Sequence, residues 1–339
     1  MYKYAMLMIF MMGACGDLTD PEENPIHYTE PEFSWKKATL SFDKSDPVLI
    51  DDGQLGTAYL DASIAIEGQA YLSFQQKRQP FWASVNGSIV RVKSIKGSIG
   101  DLTISTRGKV IGCAVGEQAG ISSLNDGEMT VKLLEKLVSS DCGETSDIDY
   151  CVVFPDGSAQ YVSELQTSED ESSTYVWGYK NGKYSYDRCD DYIEDYNVAP
   201  YSSIEGFFDP KAYDRRLLTT EYVEGWQQSD TTPSGVHVFL EDGKGKQKED
   251  TFIEVDLPIN TSVDVVKASA NRGRFAVAFT FESTLYLYSG KLLKMDWNPD
   301  HRLEGIAVSG SSLFVFYHLW GEGRDGTAKL YAIRLDYSE

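Results

Sequence analysis

A pattern of four short β-strand segments recurs six times along most of this sequence. Each copy is rich in valine, isoleucine, tyrosine and phenylalanine, often alternating with polar residues, and is bounded by Gly, Asn or Asp. Runs of this kind favour extended strands joined by tight turns, and helical periodicity is scarce beyond residue 36. The copies open at six acidic residues spaced 40 to 59 positions apart: Asp61, Asp101, Asp147, Glu205, Asp264 and Glu304.

Two of the copies contain the same hairpin signature. Trp82–Gly87 and Trp177–Gly182 both read W-x-x-x-N-G. Asn-Gly is a strong signal for a two-residue hairpin turn because both residues tolerate positive φ. The recurrence of this turn 95 residues apart indicates that the copies share one structural plan.

Six four-stranded units of about 40–50 residues fit the blades of a β-propeller. The last copy lacks a fourth strand, and the isolated segment Ala38–Phe42 could supply it and close the ring. Closure of this kind leaves fewer exposed sheet edges. We therefore predict an all-β, six-bladed β-propeller over residues 36–339, closed by an N-terminal strand. A seven-bladed propeller and a β-sandwich are the alternatives.

One turn carries a family resemblance. Pro155-Asp156-Gly157 follows an apolar strand and resembles the turn of Tol-associated and WD-type propeller repeats. The resemblance implies the propeller fold and no particular activity.

The N-terminal residues have the layout of a secretory signal, with Lys3 followed by an apolar run and then small residues. The apolar run is about ten residues long, too short to span a bilayer of about 30 Å. Met12-Gly-Ala-Cys15 resembles the lipobox of bacterial lipoproteins, which implies removal of residues 1–14 and acylation (palmitate) of Cys15. An ordinary signal peptide with an incidental cysteine is the alternative.

Residues 15–35 are acidic, contain proline and lack a periodic apolar pattern, so we predict a flexible tether. In bacterial lipoproteins, an aspartate directly after the acylated cysteine resembles an inner-membrane retention signal. This sequence has Gly16 at that position instead. The resemblance therefore implies a lipid-anchored protein of the bacterial outer membrane, with its propeller facing either the periplasm or the cell surface.

The charge balance excludes two classes of partner. The chain has 31 Lys+Arg against 52 Asp+Glu, a formal charge of −21. Nucleic-acid binding requires positively charged side chains that displace counterions from the phosphates. Docking on anionic lipid also requires positively charged side chains. We expect no nucleic-acid partner, and contact with the membrane only through the lipid anchor.

Four cysteines remain after Cys15, an even number compatible with disulfides in an oxidising compartment. Cys142 and Cys189 flank the third copy, and we predict a bridge between them. Cys113 and Cys151 fall within strands, either as buried thiols or paired with each other. A Cys142–Cys151 bridge is the alternative.

The six opening acids are candidate metal ligands. If each precedes the innermost strand of a blade, the six carboxylates lie near one mouth of the central channel and could hold Ca²⁺, which takes six to eight oxygen ligands. The competing interpretation is that short acidic side chains accept hydrogen bonds in turns. The expected cofactor is therefore none, or Ca²⁺.

No motif for a catalytic triad, a nucleotide-binding loop or a nucleophile elbow is present. His237 and His318 each lie in a predicted strand, where a lone histidine is usually a packed or surface residue. Aromatic residues in long inserts are the best partner-binding candidates, because loops on a rigid scaffold often carry binding function. These residues are Tyr192, Tyr196, Tyr201 and Tyr213.

We therefore predict a non-catalytic lipoprotein that acts as a scaffold and recognises another envelope protein through its propeller face and loops. Two alternatives stay open. The first is a calcium-dependent hydrolase or lactonase with its metal at the channel mouth. The second is a carbohydrate-binding protein that uses exposed aromatic side chains.

Overall fold

The computed structural model describes residues 41–44, 47–105, 107–135, 148–154, 156–166, 172–190, 204–208, 215–223, 235–242, 247–254, 266–271, 274–290, 292–310, 312–320 and 328–338. These residues form 25 β-strands and no helix. No described helix is therefore long and apolar enough to cross a membrane.

The first half of the described chain forms three antiparallel four-stranded sheets, each a simple meander. Blade 1 consists of β3 (Ala58–Ile66), β4 (Gln69–Gln76), β5 (Gln79–Asn86) and β6 (Ile89–Ser94). Blade 2 consists of β7 (Ser98–Ile104), β8 (Val110–Val115), β9 (Gly120–Asn125) and β10 (Glu128–Leu133). Blade 3 consists of β11 (Tyr150–Val153), β12 (Ala159–Gln166), β13 (Ser172–Lys180) and β14 (Lys183–Asp190).

The second half repeats this arrangement. Blade 4 consists of β15 (Ile204–Phe208), β16 (Arg215–Val223), β17 (Gly235–Asp242) and β18 (Gln247–Glu254). Blade 5 consists of β19 (Val266–Asn271), β20 (Arg274–Phe281), β21 (Thr284–Tyr288) and β22 (Leu292–Asp296). Blade 6 consists of β23 (His301–Val308), β24 (Ser312–Trp320) and β25 (Ala328–Ser338), completed by β1 (Ser41–Lys44) and β2 (Val48–Asp51).

The first strand of every blade lies on the inside of a ring. β3 contacts β7, β7 contacts β11, and the series continues through β15, β19 and β23. The ring closes because β23 contacts β3. A closed series of meander sheets arranged in this way is a β-propeller, so the predicted all-β propeller fold is confirmed. The described residues contain six blades.

The N-terminal strands complete blade 6, as the sequence predicted. Ser41 pairs with Ser338 in an antiparallel ladder, and Val48 pairs with Ala332 further along the same β25 strand. Pro47 lies between β1 and β2, and proline lacks the N–H group that a sheet ladder requires. The closing strand was expected over Ala38–Phe42, of which residues 38–40 lie outside the described part.

The hydrophobic core lies between neighbouring blades rather than in one central mass. Four clusters of buried side chains fill the spaces between blades 5 and 6, blades 6 and 1, blades 1 and 2, and blades 2 and 3. Phe314 and Phe316 of β24, for example, pack against Leu72 and Phe74 of β4. Blades 1, 2 and 6 are therefore each stabilised by the faces of both neighbours.

Three inner strands begin earlier than the sequence predicted. Asp61, Asp101 and Glu304 were expected just before these strands, but they lie inside β3, β7 and β23. The ladder contains one extra residue at or beside each acid: Asp61 between Leu60 and Ala62, Gly100 just before Asp101, and Glu304 between Leu303 and Gly305. A β-bulge of this kind interrupts the alternation of side chains, so the predicted strands stopped at the acid.

A disulfide joins two adjacent blades. Cys113 of β8 is bonded to Cys151 of β11, with their Cα atoms 6.1 Å apart, and both residues are buried. This pairing was one of the two options left open for these cysteines, and it excludes the alternative Cys142–Cys151 bridge. The predicted Cys142–Cys189 bridge stays a prediction, because Cys142 and the side chain of Cys189 lie outside what is described.

Candidate functional site

The described acids of the inner strands bind the next blade. The Asp61 carboxylate accepts hydrogen bonds from Gln75 Nε2 in its own blade, at 3.0 Å, and from Ser98 Oγ at the start of β7, at 3.4 Å. Burial raises the pKa of the Asp61 carboxyl to about 7, against the lowering effect of these two hydrogen bonds. Asp61 therefore connects blade 1 to blade 2.

Asp101 makes the equivalent connection between blades 2 and 3. Its carboxylate accepts the backbone N–H of Leu102 and that of Val153 on β11, both at 2.8 Å. The side chain is buried, and burial raises its pKa to about 7 although both hydrogen bonds lower it. The carboxylate thus satisfies a backbone donor of the neighbouring inner strand.

Glu304 is linked to blade 1 through the side chain of His318. Its Oε1 lies 2.8 Å from Nδ1 of His318, whose ring is buried between blades 6 and 1. The other ring nitrogen, Nε2, faces the carbonyl oxygen of Ala58 on β3. Because a carbonyl oxygen can only accept, Nε2 carries a proton.

The described residues do not form the cluster of metal ligands that the calcium hypothesis requires. Among the described residues, no three His, Cys, Asp or Glu side chains come together as metal ligands. Asp61, Asp101 and Glu304 each bind protein groups instead. Asp147, Asp264 and the side chain of Glu205 lie outside the described part, so a calcium site involving them stays a prediction.

The raised pKa of the Asp61 carboxyl makes the stability of the fold depend on pH. This pKa is about 7 in the folded chain and about 4 in an unfolded one, so the folded state holds the proton more tightly. Stability is therefore fully present below about pH 4 and falls as the pH rises towards 7. We expect this group to lower the free energy of unfolding by roughly 2–4 kcal/mol across that interval.

Chemical unfolding of wild type and Asp61→Asn at pH 4, 5, 6 and 7 checks this expectation. The amide can still pair with Gln75 and Ser98 but cannot ionise, so its profile should be flatter. Asp126→Asn is the control, because Asp126 lies in an exposed turn. A wild-type slope preserved in Asp61→Asn would contradict the assignment.

A patch of exposed apolar side chains surrounds the junction of blades 6 and 1. Tyr59 at the start of β3 and Trp320 at the end of β24 are 58% and 38% exposed. Their rings lie nearly perpendicular to that of buried His318, with centroids 6.3 and 6.2 Å away. Leu55, in the loop between β2 and β3, is 57% exposed. We call Leu55, Tyr59 and Trp320 the seam patch.

The loop that carries Leu55 is fixed by several hydrogen bonds. Gln76 Nε2 donates to the carbonyl of Gly56 at 2.7 Å and to Asp51 Oδ2 at 3.1 Å. Thr57 Oγ1 accepts the backbone N–H of Ala328 at 3.2 Å, and Ala328 is the ladder partner of Trp320. The seam patch is thus held in place by both blades that form the junction.

The sequence did not indicate the seam patch. Trp320 is the last residue of an almost wholly apolar strand, and nothing in its local pattern separates it from the buried residues before it. The contact of β3 with blade 6 places Tyr59 near this junction, and the pairing of β2 with β25 brings the loop of Leu55 there. The predicted binding residues Tyr192, Tyr196, Tyr201 and Tyr213 lie outside the described residues, as does Cys15.

No protein-family model and no curated protein matches this sequence. Among solved structures, the chain is similar to an acylaminoacyl peptidase from Pyrococcus horikoshii at 14% identity, with 84% of this chain and 52% of that chain covered and a TM-score of 0.45. It thus spans about half the length of that peptidase.

The chain is also similar to the α-L-arabinofuranosidase PaAbf62A from Podospora anserina, at 10% identity, with 90% of this chain and 99% of that chain covered and a TM-score of 0.41. It is similar as well to the β-propeller domain of the Trilobed protease from Pyrococcus furiosus, at 12% identity, with 81% of this chain and 95% of that chain covered and a TM-score of 0.38. These likenesses are distant, and the fold assignment rests on the strand topology.

Proposed function

We propose that this chain is a non-catalytic binding protein that engages another protein of the bacterial envelope through the seam patch. The observation that carries this proposal is the exposure of Leu55, Tyr59 and Trp320 around one junction. Tyrosine and tryptophan are enriched among residues that dominate binding energy. Exposed apolar side chains grouped on a folded protein commonly mark an interaction site.

Preorganisation supports the same proposal. Tyr59 and Trp320 both contact the buried ring of His318, and the Leu55 loop is tied to blades 1 and 6. Side chains that are already held in place lose less conformational entropy when a partner binds. The patch is therefore suited to binding without a large rearrangement.

Site-specific photo-crosslinking tests this proposal. A photoreactive phenylalanine analogue at position 59 should form one discrete adduct in intact envelopes, and the same analogue at Ile89 should form none. Ile89 is the matched control because it is 60% exposed and lies on the outer strand of blade 1. The captured protein, once purified, should bind Trp320→Ala at least tenfold more weakly than wild type.

Two results would contradict the patch assignment. The first is an identical set of adducts from positions 59 and 89, which would indicate random collision. The second is undiminished binding of the captured protein to Trp320→Ala and to Leu55→Ser.

We also propose that Cys15 is acylated and anchors the chain to the outer membrane. The support is the lipobox-like sequence Met12–Cys15 and the acidic residues that follow it. Cells given an alkyne-modified palmitate should label the wild-type chain, and Cys15→Ser should abolish labelling. Label that persists in Cys15→Ser would contradict the anchor and favour an ordinary signal peptide.

A further inference from the structure

The chain is acidic overall, but one stretch of it is strongly basic. Residues 68–116 contain seven Lys or Arg and one acid, Asp101, which is buried. Two of the cations, Lys77 and Arg78, form the turn between β4 and β5, and both are exposed. No described acid forms an ion pair with either side chain. A chain with a net charge of −21 therefore exposes two neighbouring cations at one turn.

The backbone of this turn is unusual for its sequence. Lys77 and Arg78 have φ angles of 51° and 64°, in the left-handed region that residues with a Cβ atom disfavour. Three other two-residue turns in the described blades place glycine second, namely Glu67–Gly68, Asp126–Gly127 and Asn181–Gly182, and the turn Gly87–Ser88 places it first. Strain of this kind is often retained where the side chains have a function.

The turn borders the seam patch. A Cβ atom built on Gly56 would lie 3.6 Å from both Cγ and Cε of Lys77, so the lysine side chain crosses the loop beside Leu55. Two acids share this loop, but both are engaged locally. Asp51 accepts from Gly53 N and Gln76 Nε2, and Asp52 accepts from Gln54 N.

We propose that Lys77 and Arg78 recognise acidic residues of the protein that docks on the seam patch. The partner segment would place an apolar or aromatic side chain on Tyr59 and Trp320, and Asp or Glu carboxylates on the turn. Arginine suits this role because its guanidinium can bind a carboxylate through two parallel hydrogen bonds. This inference rests on the proposed binding function and adds the chemistry of the partner.

Selection from a library of random dodecapeptides displayed on phage tests the inference. Peptides recovered on the immobilised wild-type chain should be enriched in Asp or Glu next to an aromatic or large aliphatic residue. The double substitution Lys77→Glu/Arg78→Glu should reduce recovery of these peptides at least tenfold. Arg107→Glu/Lys109→Glu is the matched control, because it removes two exposed cations from a turn between the first and second strands of blade 2, on the opposite face.

Arg78→Gly separates binding from folding. Glycine relieves the left-handed strain, so this variant should unfold at a temperature a few degrees higher than wild type while recovering fewer acidic peptides. A turn that serves only the fold would show the stability gain without the loss of binding, and that result would overturn the inference.

The remaining outcomes distinguish the two proposals. Loss of peptide recovery in Trp320→Ala but not in Lys77→Glu/Arg78→Glu would overturn the acidic-partner inference and leave the patch intact. If neither variant changed peptide recovery, both the binding proposal and the acidic-partner inference would be overturned. Competition by single-stranded RNA or by phosphatidylglycerol vesicles, stronger than by a Glu-rich peptide, would show that the turn recognises a different anion and would also overturn the inference.

Discussion

Replacing His318 with alanine is expected to lower the free energy of unfolding by about 3–5 kcal/mol. The substitution leaves the Ala58 carbonyl without its donor and the largely buried Glu304 carboxylate facing a cavity. Arg302 lies 3.4 Å from Glu304 but is mostly exposed, so it compensates little. The loss is large because a buried polar group left without its partner costs more than the contact contributed.

Urea unfolding followed by tryptophan fluorescence measures this effect. His318→Gln should recover part of the loss, because its side-chain amide can still donate to the Ala58 carbonyl. His301→Ala is a suitable control, since His301 also packs on aromatic rings, those of Trp297 and Tyr317, but lies within blade 6. An unfolding midpoint for His318→Ala equal to that of wild type would rule out a structural role for the pair.

His318→Ala also tests whether the junction between blades 6 and 1 supports partner binding. His318 contacts both Tyr59 and Trp320, so its loss should loosen the two aromatic side chains of the seam patch. We therefore expect His318→Ala to weaken capture of the partner even at temperatures where the variant remains folded.

Removal of the Cys113–Cys151 disulfide is expected to cost about 4 kcal/mol. The bridge closes a loop with a sequence separation of 38 residues, and the chain-entropy relation gives a value of this size for such a loop. It also ties β8 of blade 2 to β11 of blade 3, so its loss removes a covalent link across one junction of the ring. The double variant Cys113→Ala/Cys151→Ala should therefore unfold at a lower urea concentration, and reduced wild type should behave similarly.

Peptide mapping without reductant provides the direct check on this pairing. It should recover one peptide pair that contains Cys113 and Cys151. Recovery of a Cys142–Cys151 pair instead would contradict the structure. A related variant tests the packing around the bridge: a Cβ on Gly100 would lie 3.0 Å from the sulfur of Cys151, so Gly100→Ala should crowd the disulfide.

The sequence predicted most of the strands because each blade is a meander with local signals. Asn181-Gly182, for example, forms the two-residue turn where it was expected, and the expected turn at Asn86-Gly87 is shifted by one residue to Gly87–Ser88. The closing strand could also be predicted, because the last copy lacked a partner strand that only an unpaired segment elsewhere could provide.

The role of the acids could not be predicted in the same way. Asp61, Asp101 and Glu304 recur in register, and recurrence alone does not distinguish a metal ring from a set of contacts between blades. The answer depends on which donors the neighbouring blade presents: a serine hydroxyl for Asp61, a backbone N–H for Asp101 and a histidine for Glu304. Local patterns do not contain this information.

The pairing of β1 and β2 with β25 has a consequence for how the chain reaches its native state. Ser41 emerges from the ribosome early and Ser338 very late, yet they are neighbours in one ladder. During synthesis, β1 and β2 cannot complete blade 6 until five complete blades have been made. Until β25 is made, the edges of β1 and β2 can bind chaperones or pair with strands of other chains. Closure of the ring is therefore expected to be a late step in the folding of this protein.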